Sequence, residues 1–150
     1  MEPASLSQNL SALTEPGTWI TAAVIVLLLL CSAFFSGSET ALTAATRGKL
    51  RSMADRGEGA DPGAEKALSL KEDSERLIGG ILLGNNLVNI LATSLATALL
   101  TTLFGEGGVA LATLVMTALV LIFAEVLPKT YAINDPERTA ARIARPIALV

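Results

Sequence analysis

From Trp19 to Phe35 nearly every residue is apolar, and the uncharged stretch runs on to Ser38. A second uncharged stretch covers Leu77 to Phe104, and a third Val109 to Ala124. At about 1.5 Å per residue, each approaches or exceeds the length needed to cross a hydrocarbon core of about 30 Å. A helix at the surface of a water-soluble protein would carry a polar stripe, and none of these stretches has a charged one. The pattern predicts an all-α membrane protein with three transmembrane helices. Between the first two spans, Arg47–Arg76 mixes both charges around Gly57, Gly59, Pro62 and Gly63. That segment predicts a short helical hairpin, with helices over Arg47–Asp55 and Pro62–Leu70 joined by a turn. It also reads as a plain solvated connector.

The basic residues orient the spans. Arg47, Lys49, Arg51, Arg56, Lys66, Lys71 and Arg76 lie between the first two, and Lys129, Arg138, Arg142 and Arg145 follow the third. Together they account for all 11 Lys and Arg. The N-terminal tail and the Gly105-Glu106-Gly107-Gly108 turn have none. Positive loops stay inside, so the N-terminus is expected outside, with the hairpin and the C-terminus in the cytoplasm. Residues 1–18 are expected as an extracytoplasmic tail and residues 19–150 as one membrane domain. Because no basic residue precedes the first apolar run, it is expected to be a retained span and not a cleaved signal.

Composition narrows the chemistry. The 150 residues are 51% hydrophobic but only 4% aromatic, with a mean hydropathy of +0.56. That balance suits close-packed membrane helices rich in small residues. Histidine is absent and Cys31 is the single cysteine. Thiolate and imidazole metal sites, a disulfide framework and Ser/His/Asp or Cys/His catalysis are thereby excluded. Cys31 reads as a small apolar packing residue. There is no phosphate-binding loop of either common type, no internal repeat and no low-complexity tract. Neither enzymatic activity nor a nucleic-acid partner is expected.

Three polar interruptions stand out in the apolar spans. Ser36-Gly37-Ser38-Glu39-Thr40 follows Phe34-Phe35, and Gly37 is expected to permit local unwinding that frees carbonyls. Leu83-Gly84-Asn85-Asn86-Leu87-Val88-Asn89 places Asn85 and Asn89 on one helix face, continued by Thr93. Gly80 and Gly84 form a pair that lets another helix approach closely. In Ala124-Glu125-Val126-Leu127-Pro128-Lys129, Pro128 has no N–H for the Ala124 carbonyl. An intramembrane carboxylate such as Glu125 normally has a function. Each interruption also has a plainer reading: Glu39 as an interfacial residue, the asparagines as interhelical glue, Glu125 as a partner of Lys129. Under the expected topology all three lie in the inner half of the membrane. One or two carboxylates with amide, hydroxyl and backbone oxygens can bind a hard cation, which points to an ion pathway.

At these three motifs, in this order and spacing, the chain resembles the transmembrane domain of the CNNM/CorC family of magnesium transporters, from about Leu28 onward. The resemblance implies a homodimer in the cell membrane that exports Mg2+ in exchange for Na+. It places the serine role on Ser38 with Ser36 beside it, and the asparagine role on Asn89, with Asn85 matching the motif. A backbone carbonyl near Ala92 and the acid Glu125 complete the set, and Glu39 is a candidate for Na+ coupling. Family members usually continue into cytoplasmic CBS and CorC/HlyC domains. These are expected to lie outside this chain, and any ATP response with them. Arg138–Val150 then reads as the start of the juxtamembrane helix leading there.

Overall fold

The computed structural model describes residues 11–149, and every regular element among them is helical. Helix α1 spans Pro16–Ala44, α2 Arg47–Ala54, α3 Pro62–Glu72 and α4 Ser74–Phe104. Helix α5 runs over Gly107–Asn134 and α6 over Pro136–Ile147. Helices α1, α4 and α5, of 29, 31 and 28 residues, are long and apolar enough to cross a membrane. The helix starts follow local chemistry. Asp61-Pro62 and Asp135-Pro136 repeat one signal: the carboxylate accepts from the N–H of Gly63 or Arg138, while proline fills a first-turn position that needs no donor. Gly105, at φ +66°, ends α4 and lets α5 begin two residues later. The ten N-terminal residues of the expected tail lie outside the described residues.

The predicted hairpin is present as α2 and α3, within two residues of the expected bounds. Two of the three expected interruptions are not breaks. Helix α1 continues through Ser36–Thr40, and α4 continues through its asparagines. One glycine costs a helix only about 1 kcal/mol, whereas each backbone group left unpaired in a membrane costs several. Ser38 and Thr40 donate their hydroxyls to the Phe34 and Ser36 carbonyls of the same helix, at 2.6 and 3.1 Å. Gly37 provides room instead: a Cβ there would lie 3.5 Å from both Cβ and O of Pro128. The third interruption is real. Helix α5 widens into a π-helical segment over Val120–Val126, where the Leu127 N–H bonds to the Ile122 carbonyl five residues back. Proline at 128 removes a donor from the α-helical ladder, and the ladder shifts register just before it.

The glycine pair behaves asymmetrically. A Cβ on Gly84 would meet the Phe35 ring at 3.1 Å, so α1 and α4 do approach closely there. Nothing lies within 4 Å of the equivalent position on Gly80. The spans meet around Ile25, Ala92, Ala96 and Met116, while Leu30, Leu83 and Leu114 point outward. Such an apolar exterior suits lipid contact and would be a liability in water.

The hairpin and α6 form a second packed unit at the other end of the bundle. Ala64 and Ala67 of α3 pack against Ala140, Ala141 and Ala144 of α6, all buried. Glu137, only 5% exposed, accepts from both the N–H and the hydroxyl of Thr46, each at 3.1 Å. Its other oxygen lies 3.8 Å from the Lys49 ammonium. Burial pushes the Glu137 carboxyl up, but the hydrogen bonds from Thr46 and its own backbone, with the Lys49 charge, outweigh that and hold it below the usual glutamate range. Lys71 donates to the Leu42 and Ala45 carbonyls at 2.7 and 2.5 Å, closing the C-terminal end of α1. Burial, and then the Arg47 guanidinium, pull its ammonium below the usual lysine range.

Candidate cation site

The polar groups of the three spans converge in the part of the bundle nearer the hairpin. Ser32 and Ser36 lie one helical turn apart on α1, and both are fully buried. The Ser32 hydroxyl donates to Asn85 Oδ1 of α4 at 2.7 Å. That bond fixes the amide so that Asn85 Nδ2 faces Glu125 Oε1 of α5, at 3.4 Å. Glu125 lies inside the π segment, and its Oε2 pairs with the Lys129 ammonium at 3.1 Å. A polar chain thus joins α1, α4 and α5 through Ser32, Asn85 and Glu125.

Two further buried oxygens, one turn beyond Ser32 on α1 and Asn85 on α4, make no hydrogen bond with any described residue: Ser36 Oγ and Asn89 Oδ1. An unsatisfied buried polar atom costs about 1–3 kcal/mol, and such atoms in a native fold mark a bound ion, a water or a functional strain. Among the described residues no three or more His, Cys, Asp or Glu side chains come together. A cation held here therefore draws on hydroxyl and amide oxygens with one carboxylate, a hard-ligand set that suits Mg2+ or Ca2+.

The structure distributes the anticipated residues unevenly. Asn85, Asn89, Glu125 and Ser36 belong to the three-helix constellation. Ser38 is buried, but its proton is committed to the Phe34 carbonyl, so the unpaired serine is Ser36. Ala92 is fully buried in uninterrupted helix, and no break in α4 frees its carbonyl. Glu39 is half-buried, and its carboxylate makes no ion pair or hydrogen bond with any described residue. Ser32 was not anticipated. Its only signal is its position four residues before Ser36 in a leucine-rich run, and its role depends on Asn85, 53 residues away.

From Asn89 a cleft of about 310 Å³ opens between α4 and α5, lined by Thr93, Thr113, Thr117, Met116 and Val120 among others. It leads along both helices away from Glu125, toward the Gly105 turn. The contacts Lys129–Glu125–Asn85 lie on the hairpin side, and beyond Asn89 the mostly apolar cleft carries Thr93, Thr113 and Thr117 into the other half of the bundle.

Comparison with known proteins places this arrangement in a family. Residues 23–150 match the cyclin M transmembrane N-terminal domain, CNNM. The chain is 50% identical over 109 residues to the UPF0053 inner membrane protein YfjD of Escherichia coli, covering 73% of this chain and 25% of that protein. It is 40% identical over 117 residues to a UPF0053 protein of Haemophilus influenzae, covering 78% of this chain and 27% of the relative. With a DUF21 domain-containing chloroplast protein of Arabidopsis thaliana it shares 37% identity over 142 residues, covering 95% and 20%. The chain thus spans about a quarter of the length of these relatives. A three-span helical bundle with polar groups gathered between its spans, matched over most of its length, belongs to the CNNM family of multi-pass membrane domains.

Proposed function

We propose that this domain is not an enzyme but a secondary transporter that carries Mg2+ out of the cell in exchange for Na+. The observation that carries the reading is the pair of unpartnered buried oxygens, Ser36 Oγ and Asn89 Oδ1, beside the Asn85–Glu125 contact. Mg2+ prefers near-octahedral oxygen ligands at about 2.1 Å and gives up water reluctantly. Hydroxyl and amide oxygens already stripped of hydrogen-bond partners lower the cost of replacing that water. Glu125 supplies the negative charge, and its pair with Lys129 is the contact an arriving cation must displace. The exposed end of Lys129 can return to water when that happens. Glu39, unpaired among the described residues and just beyond the serines on α1, is assigned to Na+ coupling.

The orientation is part of the proposal: N-terminus outside, hairpin and C-terminus in the cytoplasm, in the cell membrane, with two copies forming a homodimer. ATP would act only through CBS domains outside this chain. In a Cys31→Ser background, an impermeant maleimide added to intact cells labels Glu106→Cys, and labels Ala60→Cys only after permeabilisation. The reverse pattern would overturn the topology. In sealed proteoliposomes, Mg2+ flux is expected to follow an imposed Na+ gradient and to reverse with it, and Glu39→Gln to weaken the Na+ dependence more than Mg2+ binding. Saturable Mg2+ binding with no Na+-dependent flux would contradict transport and leave a Mg2+-sensing membrane anchor.

A further inference from the structure

At the corner where α3 hands over to α4, a pocket of about 480 Å³ is bounded by Leu70, Asp73, Arg76, Leu77, Gly80 and Ile81. Its mouth carries two opposite charges. Asp73 and Arg76 are exposed, three residues apart, and make no ion pair with each other or with any other described residue. The Asp73 side chain precedes α4 without capping it. Below the charges the walls turn apolar, because the uncharged stretch of α4 begins at Leu77 and Ile81 is fully buried. Gly80 widens the lower end: nothing lies within 4 Å of the Cβ it lacks. A dipolar mouth over an apolar slot, at the level where a membrane span begins, matches one end of a phospholipid.

We propose that this corner binds a zwitterionic phospholipid with a primary amine, its phosphate on Arg76, its ammonium on Asp73 and an acyl chain along Gly80. Charge complementarity selects that headgroup. Guanidinium and phosphate form a bidentate charge-assisted pair. A headgroup with net negative charge and no amine leaves Asp73 facing like charge. A quaternary ammonium brings the charge but has no N–H to donate to the carboxylate. Arg76 also keeps its stem on apolar surface with its head at the interface, as basic residues at span ends do. The inference stands apart from the ion-transport reading, since it uses none of the groups that would hold the cation.

The test is native mass spectrometry of the full chain released from mild detergent with phosphatidylethanolamine, phosphatidylcholine or phosphatidylglycerol of identical acyl chains. Phosphatidylethanolamine is expected to be retained about tenfold more than either of the others, the scale of one charge-assisted hydrogen bond. Arg76→Gln and Gly80→Leu should each remove that preference. Asp73→Asn should invert it toward phosphatidylglycerol, a swap that general loosening of the fold would not produce. Equal retention of the three lipids, or a preference untouched by Asp73→Asn, would overturn the proposal. So would Gly80→Leu converting dimer to monomer with lipid retention unchanged, because a second copy would then cover this face.

Discussion

Glu125→Gln is expected to abolish Na+-driven Mg2+ flux in proteoliposomes while the protein stays folded. Glutamine keeps the shape of the side chain and an oxygen that can accept from Asn85 Nδ2, so the link between α4 and α5 survives. Lys129 loses its partner but is 42% exposed and can be hydrated. What disappears is the only carboxylate in the polar chain that joins the three spans. Placing two positive charges among neutral oxygens in a low-dielectric setting costs several kcal/mol more without it, even after relaxation and water entry. At about 1.4 kcal/mol per factor of ten, that is a loss of two or more orders of magnitude in affinity. Asn89→Ala, which removes one neutral oxygen, should weaken flux less completely. Wild-type flux in a folded Glu125→Gln protein would remove Glu125 from the pathway and return it to the role of an interfacial partner for Lys129.

A second large effect is expected in the hairpin unit, where α3 packs on α6, from a single methyl group. A Cβ on Gly63 would overlap the backbone carbonyl of Ala141, and it would also come within 3.1 Å of the capping Asp61 carboxylate. Backbone cannot turn aside as a flexible side chain can, so α3 must retreat from α6 along their shared alanine seam. Gly63→Ala is expected to lower stability by about 1–3 kcal/mol, the range for overpacking a close contact. Gly48→Ala is the matched control, because its added Cβ meets nothing within 4 Å and an exposed helical alanine gains up to about 1 kcal/mol. Thermal unfolding in one detergent should separate the two variants in opposite directions. Equal melting temperatures would show that α3 and α6 are not packed as described.

The parts of the fold legible in the sequence were those set by local chemistry. Runs without charge marked the spans, Pro62 marked the start of α3, and the glycines at 105–108 marked the turn between α4 and α5. The juxtamembrane helix was expected from Arg138 and begins two residues earlier, at Pro136. The expectation that polar residues would break helices failed at α1 and α4. Serine, threonine and asparagine side chains leave every backbone N–H in place, and in a membrane the intact ladder is worth more than any one polar side chain. Proline at 128 removes a donor outright, and there the irregularity was legible. Long-range partners were the hardest to read. Ser32 looks like filler until Asn85 is beside it, and Glu137 looks like a surface acid until its carboxylate accepts from Thr46, 91 residues away. The resemblance put the serine role on Ser38 with Ser36 beside it. Ser38 donates its proton to the Phe34 carbonyl, which leaves its oxygen lone pairs available, and Ser36 Oγ has no partner among the described residues. The pair of Glu125 with Lys129, four residues on, was legible as an alternative and is present alongside the contact to Asn85.

Calorimetric titration of Mg2+ into the purified domain tests the central claim most directly, using Ser36→Ala, Asn89→Ala and Glu125→Gln singly and in pairs. If these side chains share one ion, the wild type binds saturably and Glu125→Gln shows no measurable binding. The Ser36→Ala and Asn89→Ala losses should fail to add when combined, because ligands of one coordination shell are coupled. Near-native affinity in folded Glu125→Gln, or strictly additive losses for Ser36→Ala and Asn89→Ala, would contradict a single shared site.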